Sequence, residues 1–303
     1  MRPLDRLLAA PPIPGTALVV SRGRVRATGD RSARYPIYSL TKPVIAAAIL
    51  RLVAEGRLSL DDPAPDDWPG TVRQLLDHTS GARDYGALPA YHEAVRTRPL
   101  RPWSDRELLR RAAAAGPTFE PGGGWAYSNT GYLLLRRLLD RHGGLASHLP
   151  ALGLPGMTVA LRPEDLDEVA PAPSRLIGDG VDDIRGAYDP RWVGHRTLVG
   201  TADDLLAFWR TLPPAMLDPA TFIPIGHPAT GFVRPAYGLG LMTDPASPLG
   251  LVVGHGGGGP GYAHGVFAAP AAGALAIVLT RDERYDAQGL ALRLLEAAIR
   301  DGS

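Results

Sequence analysis

Apolar runs that read as β-strands occur near both ends of this chain and scarcely between them. Near the start, TALVVSRGRVRATG (16–29) joins an apolar run to an alternating one across a turn at Ser21–Gly23, which is the pattern of a hairpin. After residue 235 come YGLGLM, GLVVGH, HGVFAA and ALAIVLT. Between the two ends the periodicity is helical, clearest over Pro43–Glu55, Thr71–His78, Ser104–Ala115, Thr130–His142 and Thr201–Leu212, while 150–195 is loop-rich. Ala287–Arg300 closes the chain as an amphipathic helix. Strands from opposite ends share a sheet only by pairing across the whole sequence. The predicted fold class is therefore α/β (α+β), an antiparallel sheet built from both termini and flanked by helices, with an inserted all-helical lobe. We expect one catalytic unit over 1–303, in which 1–58 and 228–303 form the sheet lobe and 59–227 the inserted helical lobe.

The composition supports a sizeable core and narrows the chemistry. Of 303 residues, 45% are hydrophobic and 21% charged, and the formal net charge is +1. That balance gives no reason to expect nucleic acid or an anionic membrane as partner. Cysteine is absent, which excludes disulfides, thiolate catalysis and cysteine-ligated metal. Histidine spacing shows no metal motif, so neither metal nor cofactor is expected. The first residues, MRPLDRLLAAPPIPG, lack the long apolar stretch of a signal peptide, so a cytoplasmic protein is expected unless a leader was removed. No segment has the length of a membrane span.

One count is unusual: 31 arginines against a single lysine, Lys42. An arginine serves wherever only a surface cation is needed. A side chain that must give up its proton cannot be arginine, because guanidinium does not deprotonate in proteins. Lys42 is thus a candidate for chemistry before any motif is considered. It lies three residues after Ser39, and Pro43 places both at the start of a helix. At that spacing the two side chains share a face, about 4.5 Å apart along the axis. A serine hydroxyl is a weak nucleophile until a neighbour takes its proton, and an uncharged lysine in that place is such a neighbour.

Two further groups stand out. Tyr127-Ser128-Asn129 follows the loop Pro121-Gly122-Gly123-Gly124. The phenol is suited to relaying a proton to a leaving group, and the Asn129 amide offers donor and acceptor to a substrate. His255-Gly256-Gly257-Gly258 closes an apolar strand, and glycines there need a reason, such as a ligand approaching the backbone. The amides of Ser39 and Gly258 are candidates for an oxyanion hole.

The ordered set resembles the serine β-lactamase / penicillin-binding-protein superfamily, in particular its class C β-lactamase and D-alanyl-D-alanine carboxypeptidase branch. That branch carries Ser-x-x-Lys, Tyr-x-Asn and a Lys/His/Trp-x-Gly triplet in this order. Ser39/Lys42, Tyr127/Asn129 and His255/Gly257 match it. LVAEGRLSLDDP, QLLDHTSG at 74–81, FEPGGGWAYSNTGYLLL at 119–135 and YGLGL match as flanks, and the likeness spans about residues 15–280. The resemblance implies Ser39 as acylated nucleophile and Lys42 with Tyr127 as general base and acid. It implies Asn129 as a substrate-orienting group and His255 beside a substrate carboxylate or leaving group. Gly256 stands where the branch often has threonine, and histidine in the third motif is closer to its peptidases than to its β-lactamases. The expected function is a serine hydrolase forming an acyl-enzyme on an ester or small-peptide amide, its partner a small-molecule or peptide substrate. The alternatives are an acyltransferase or peptide cyclase using the same acyl-serine and, from another class, a non-catalytic β-lactam or peptide sensor.

Overall fold

A computed structural model describes residues 3–9, 13–226 and 231–301. The chain opens with helix α1 (Pro3–Ala9), the hairpin β1 (Gly15–Ser21) and β2 (Arg24–Thr28), strand β3 (Tyr35–Pro36) and helix α2 (Thr41–Ala54). Helices α3 (Val72–Leu76), α4 (Pro89–Thr97), α5 (Asp105–Ala114), α6 (Asn129–Asp140) and α7 (Leu145–His148) follow. Next come β4 (Thr158–Ala160), β5 (Thr197–Gly200) and α8 (Ala202–Trp209). The chain returns through β6 (Ile223–Pro224), β7 (Ala236–Tyr237), β8 (Met242–Asp244), β9 (Val252–Gly259), β10 (Tyr262–Ala269) and β11 (Ala274–Thr280), and α9 (Ala287–Arg300) ends it.

Eight of these strands form one antiparallel sheet in the order β2-β1-β11-β10-β9-β8-β7-β6. Its middle joins the two ends of the chain: Leu18 of β1 lies opposite Ile277 of β11, and Val20 opposite Leu275. Both faces of these strands are covered. Leu18, Val20, Leu275 and Ile277 enter the larger core, whereas Ala17, Val19, Ala276 and Val278 enter a second core with residues of α1 and α9. A strand buried on both sides has no polar face to alternate with, hence the unbroken apolar run ALAIVLT.

Helix α2 is apolar all round, and every residue from Thr41 to Leu50 is buried. Such a helix is stable only inside a protein, so its first turn, with Lys42, is carried into the interior. A smaller sheet, β3-β5-β4, clamps the segment just before it. Ile37 N donates to Leu198 O (2.8 Å), Tyr38 N to Thr197 Oγ1 (2.8 Å) and Leu198 N to Thr41 Oγ1 (3.0 Å).

Several boundaries differ from the sequence expectation for identifiable reasons. Helix α2 starts at Thr41, preceded by a 3-10 turn over Tyr38–Leu40, because a proline at 43 in the first turn lacks only an amide hydrogen that the helix does not use. Helix α3 is shorter than 71–78, with Thr71 as cap in a reciprocal capping box with Gln74. YGLGLM divides into β7 and β8 around Gly240, whose φ of +90° excludes a side chain. The apolar strand read ahead of His255 does not end there but continues as β9 through the glycines to 259. The expected lobe boundary at 227/228 lies outside the described residues. Among the described residues no helix is long and apolar enough to cross a membrane.

Candidate active site

Ser39 sits in the turn between β3 and α2, on backbone under strain. The preceding residue, Tyr38, has φ +46°, a left-handed conformation that costs about 1–3 kcal/mol for a residue with a side chain. Three contacts hold it: the Thr197 bond to its amide, a 2.7 Å bond from its hydroxyl to Pro260 O, and the ring packed where a side chain at Gly259 would lie. β9 closes on the same turn at Gly257, where a methyl group would stand 2.5 Å from the Ile37 carbonyl oxygen. Gly257 and Gly259 thus serve close packing of strand against turn, whereas a methyl group at Gly258 would meet nothing nearer than Tyr262 O at 3.7 Å.

The structure brings Ser39, Lys42, Tyr127 and Asn129 into direct contact. Lys42 Nζ lies 2.9 Å from Ser39 Oγ and 2.7 Å from Asn129 Oδ1, and Tyr127 OH donates to Ser39 Oγ at 3.0 Å. Tyr127 and Asn129 reach this point because Ser128 caps α6, its side chain accepting from Gly131 N (3.1 Å). Asp84 completes the junction, its carboxylate accepting from Asn129 N (3.1 Å), Asn129 Nδ2 (3.2 Å) and Gly86 N (2.9 Å). Behind Tyr127 stands His78, its ring 4.5 Å away and its Nδ1 accepting from Ser128 N at 3.1 Å. His78 is thus a support for the phenol.

Burial sets the electrostatics. Lys42 is fully buried, and desolvation holds its pKa well below that of an ordinary lysine, with the nearby Asp84 carboxylate opposing. Desolvation raises the Asp84 pKa in turn, against its hydrogen bonds and Lys42. Tyr127 is pushed up by burial, so it is a phenol that carries its proton. His255 is driven to about 3 by desolvation and by Lys42. Its Nδ1 is 2.5 Å from Gly256 O and its Nε2 3.1 Å from Tyr237 OH, so both ring nitrogens are committed inside the protein.

Two chambers meet at Ser39 and Gly258. The smaller, about 390 Å³, is lined by Tyr127, His255, Gly257 and Gln288. Gln288 fills the place a side chain at 256 would take, its amide nitrogen 2.3 Å from that position. The larger, about 760 Å³, is lined by Asn129, His195 and the rings of Tyr85, Tyr91 and Tyr188. Asp84, His195 and Gln288 were missed in the sequence. None belongs to a motif, and His195 falls in the loop-rich stretch that carries no periodicity. Among the described residues no cluster of three His, Asp or Glu is placed to hold a metal ion.

Comparison with known proteins bears on the family and the fold. A family model described as Beta-lactamase matches residues 4–299. The structure is similar to that of a D-stereospecific amidohydrolase from Streptomyces sp., with a TM-score of 0.81, 27% identity and 97% of each chain covered. In sequence the chain is 28% identical to a D-aminopeptidase from Cereibacter sphaeroides, over 98% of this chain and 63% of the relative. It is 34% identical to esterase EstB from Burkholderia gladioli, over 41% of this chain and 40% of the relative. The chain therefore spans less than two thirds of the length of these curated relatives.

Proposed function

The chain belongs to the Beta-lactamase family, and on that premise we propose that it is a serine hydrolase that cleaves an ester or small-peptide amide through an acyl-enzyme on Ser39. The carrying observation is the 2.9 Å contact between Ser39 Oγ and a fully buried amine. Uncharged, Lys42 takes the hydroxyl proton as Oγ attacks the substrate carbonyl. The amides of Ser39 and Gly258 are assigned to the developing oxyanion, since these two residues line both chambers. Tyr127, which carries its proton, passes it to the leaving group, and the Lys42 ammonium, holding the former Ser39 proton, returns one to the phenolate. Water then attacks the acyl carbon, and the same groups return the proton to Ser39.

Tyr127 lines only the smaller chamber and Asn129 only the larger. A proton donor must touch the leaving atom, so the leaving group belongs in the smaller chamber and the acyl group in the larger, aromatic one. A neutral His255 offers the leaving group a wall instead of a counter-charge, which favours an uncharged amine or alcohol there over a carboxylate-bearing one. The D-aminopeptidase, D-stereospecific amidohydrolase and esterase relatives favour an acyl donor that is an amide of a D-configured residue or a simple ester. In this reading the sheet lobe supplies Ser39, Lys42, His255 and Gly258, and the inserted lobe supplies Tyr127 and Asn129.

Intact-protein mass spectrometry after exposure to a p-nitrophenyl ester, a β-lactam and a fluorophosphonate tests the proposal. At least one reagent is expected to leave one adduct, on Ser39, and none on Ser39→Ala. Unchanged labelling of that variant would sink the assignment.

A further inference from the structure

Lys42 Nζ has a third polar neighbour outside every motif: His195 Nε2, 3.4 Å away. The other two leave little freedom. Asn129 cannot turn its amide, because Nδ2 and the backbone N both donate to Asp84, so Oδ1 must face Lys42 as an acceptor. His195 is buried, and its imidazole is kept neutral first by desolvation and next by Lys42. A neutral imidazole has one acceptor nitrogen and a neutral amine has two hydrogens and one lone pair. If Asn129 Oδ1 takes one hydrogen and His195 Nε2 the other, the lone pair faces the remaining neighbour, the Ser39 hydroxyl. The imidazole is held in place because it lies two residues before β5, whose Thr197 and Leu198 bind the turn that carries Ser39. Nucleophile, base and imidazole therefore hang on one clamp.

We propose that His195 is a positioning residue for acylation: by accepting one Lys42 N–H while Asn129 accepts the other, it turns the amine lone pair onto Ser39 Oγ–H. This rests on the reading of Ser39 as nucleophile and Lys42 as its base. Without the imidazole the amine rotates about Cε–Nζ and can present a hydrogen to Ser39 Oγ, which blocks proton abstraction. With it, Oγ bonds to the electrophile, the hydroxyl proton moves to the lone pair, and the ammonium formed donates to Asn129, His195 and the former hydroxyl oxygen.

Fluorophosphonate labelling, followed by intact mass, reads this step without the natural substrate: Oγ displaces fluoride from phosphorus and its proton goes to Lys42. His195→Leu, close in volume but without an acceptor, is expected to label about 10- to 100-fold more slowly. His195→Gln, whose amide oxygen can accept, should recover most of that rate. The pH profile adds a readout that simple loosening would move the other way. Titratable groups facing Lys42 are Asp84, His78, His255, Tyr127 and Tyr132, besides His195. With these unchanged, an ammonium deprived of one acceptor in a dry site is less stable, so the acid limb of the labelling rate should shift to lower pH in His195→Leu. A site opened to water would shift it to higher pH. Labelling of His195→Leu at the wild-type rate would overturn the inference, as would equal losses in both variants or a limb moved upward. Wild-type protein that took no label would overturn the acyl-serine reading itself, and the inference with it.

Discussion

Lys42 is held by burial away from the proton it would carry in water, and the proposed activity depends on that state. An ammonium folded into a dry interior is unfavourable, and an uncharged amine there still gives up hydration. Lys42→Met, which fills the same space with an apolar side chain, should therefore cost activity and favour folding. Turnover of a p-nitrophenyl ester is expected to fall about 10²- to 10⁴-fold, while Tm rises, the change corresponding to about 1 kcal/mol or more. A Tm lower than that of the wild type would show that the amine is a net structural asset, contrary to this account. The candidacy of Lys42 was visible in the sequence because it is the one lysine among 32 basic residues. Its partners were less evident: Asn129 and His195 lie 87 and 153 residues away, and only the first belongs to a recognisable motif. Asp84, which orients Asn129, had no signal of its own, since an acidic residue before a tyrosine in a loop has many ordinary uses.

At the scale of elements, strand β9 and the turn before α2 form a single fitted joint. The sequence suggested a strand weakened by glycine to admit a ligand, whereas Gly257 and Gly259 admit the turn and Gly256 admits the Gln288 side chain. Gly257 and Gly258 separate the two reasons. A methyl group at 257 would meet the Ile37 carbonyl at 2.5 Å, and one at 258 meets nothing nearer than Tyr262 O at 3.7 Å. Gly257→Ala should therefore destabilise the protein by about 1–3 kcal/mol through overpacking and displace Ser39. Gly258→Ala should fold with a stability within about 0.5 kcal/mol of the wild type. Denaturant unfolding of both variants decides: similar losses at the two positions would mean that the strand and turn are not fitted as described. Helix α6 was nearly complete in the sequence because its cap, Ser128, and its apolar stripe are local. The extension of β9 past Gly254 was hidden, because what sustains it is pairing with β10 and contact with the turn, neither of which leaves a mark in local periodicity.

For the whole molecule, buried histidines set the response to acid. His78, His195, His255 and His264 are all buried, and desolvation depresses each, His255 to about 3 and His264 to about 4. Their folded values lie below the unfolded value of about 6.5, so the unfolded chain binds protons first as pH falls. Stability contributed by their neutral forms is present above pH about 6.5 and declines below it, by roughly 1 kcal/mol per pH unit for each histidine until its folded pKa is reached. Thermal unfolding followed from pH 7.5 to 5 should show Tm falling steeply below about 6.5; a flat profile would contradict neutral burial of the four. What the sequence determined alone was local or compositional: a sheet from both ends, helices between, no thiol chemistry, and a serine, lysine, tyrosine and asparagine in family order. What only the tertiary structure decided was which groups meet at the amine and which protons they hold. Periodicity and spacing are properties of neighbours along the chain, whereas desolvation and hydrogen-bond direction depend on what distant segments bring to the same point.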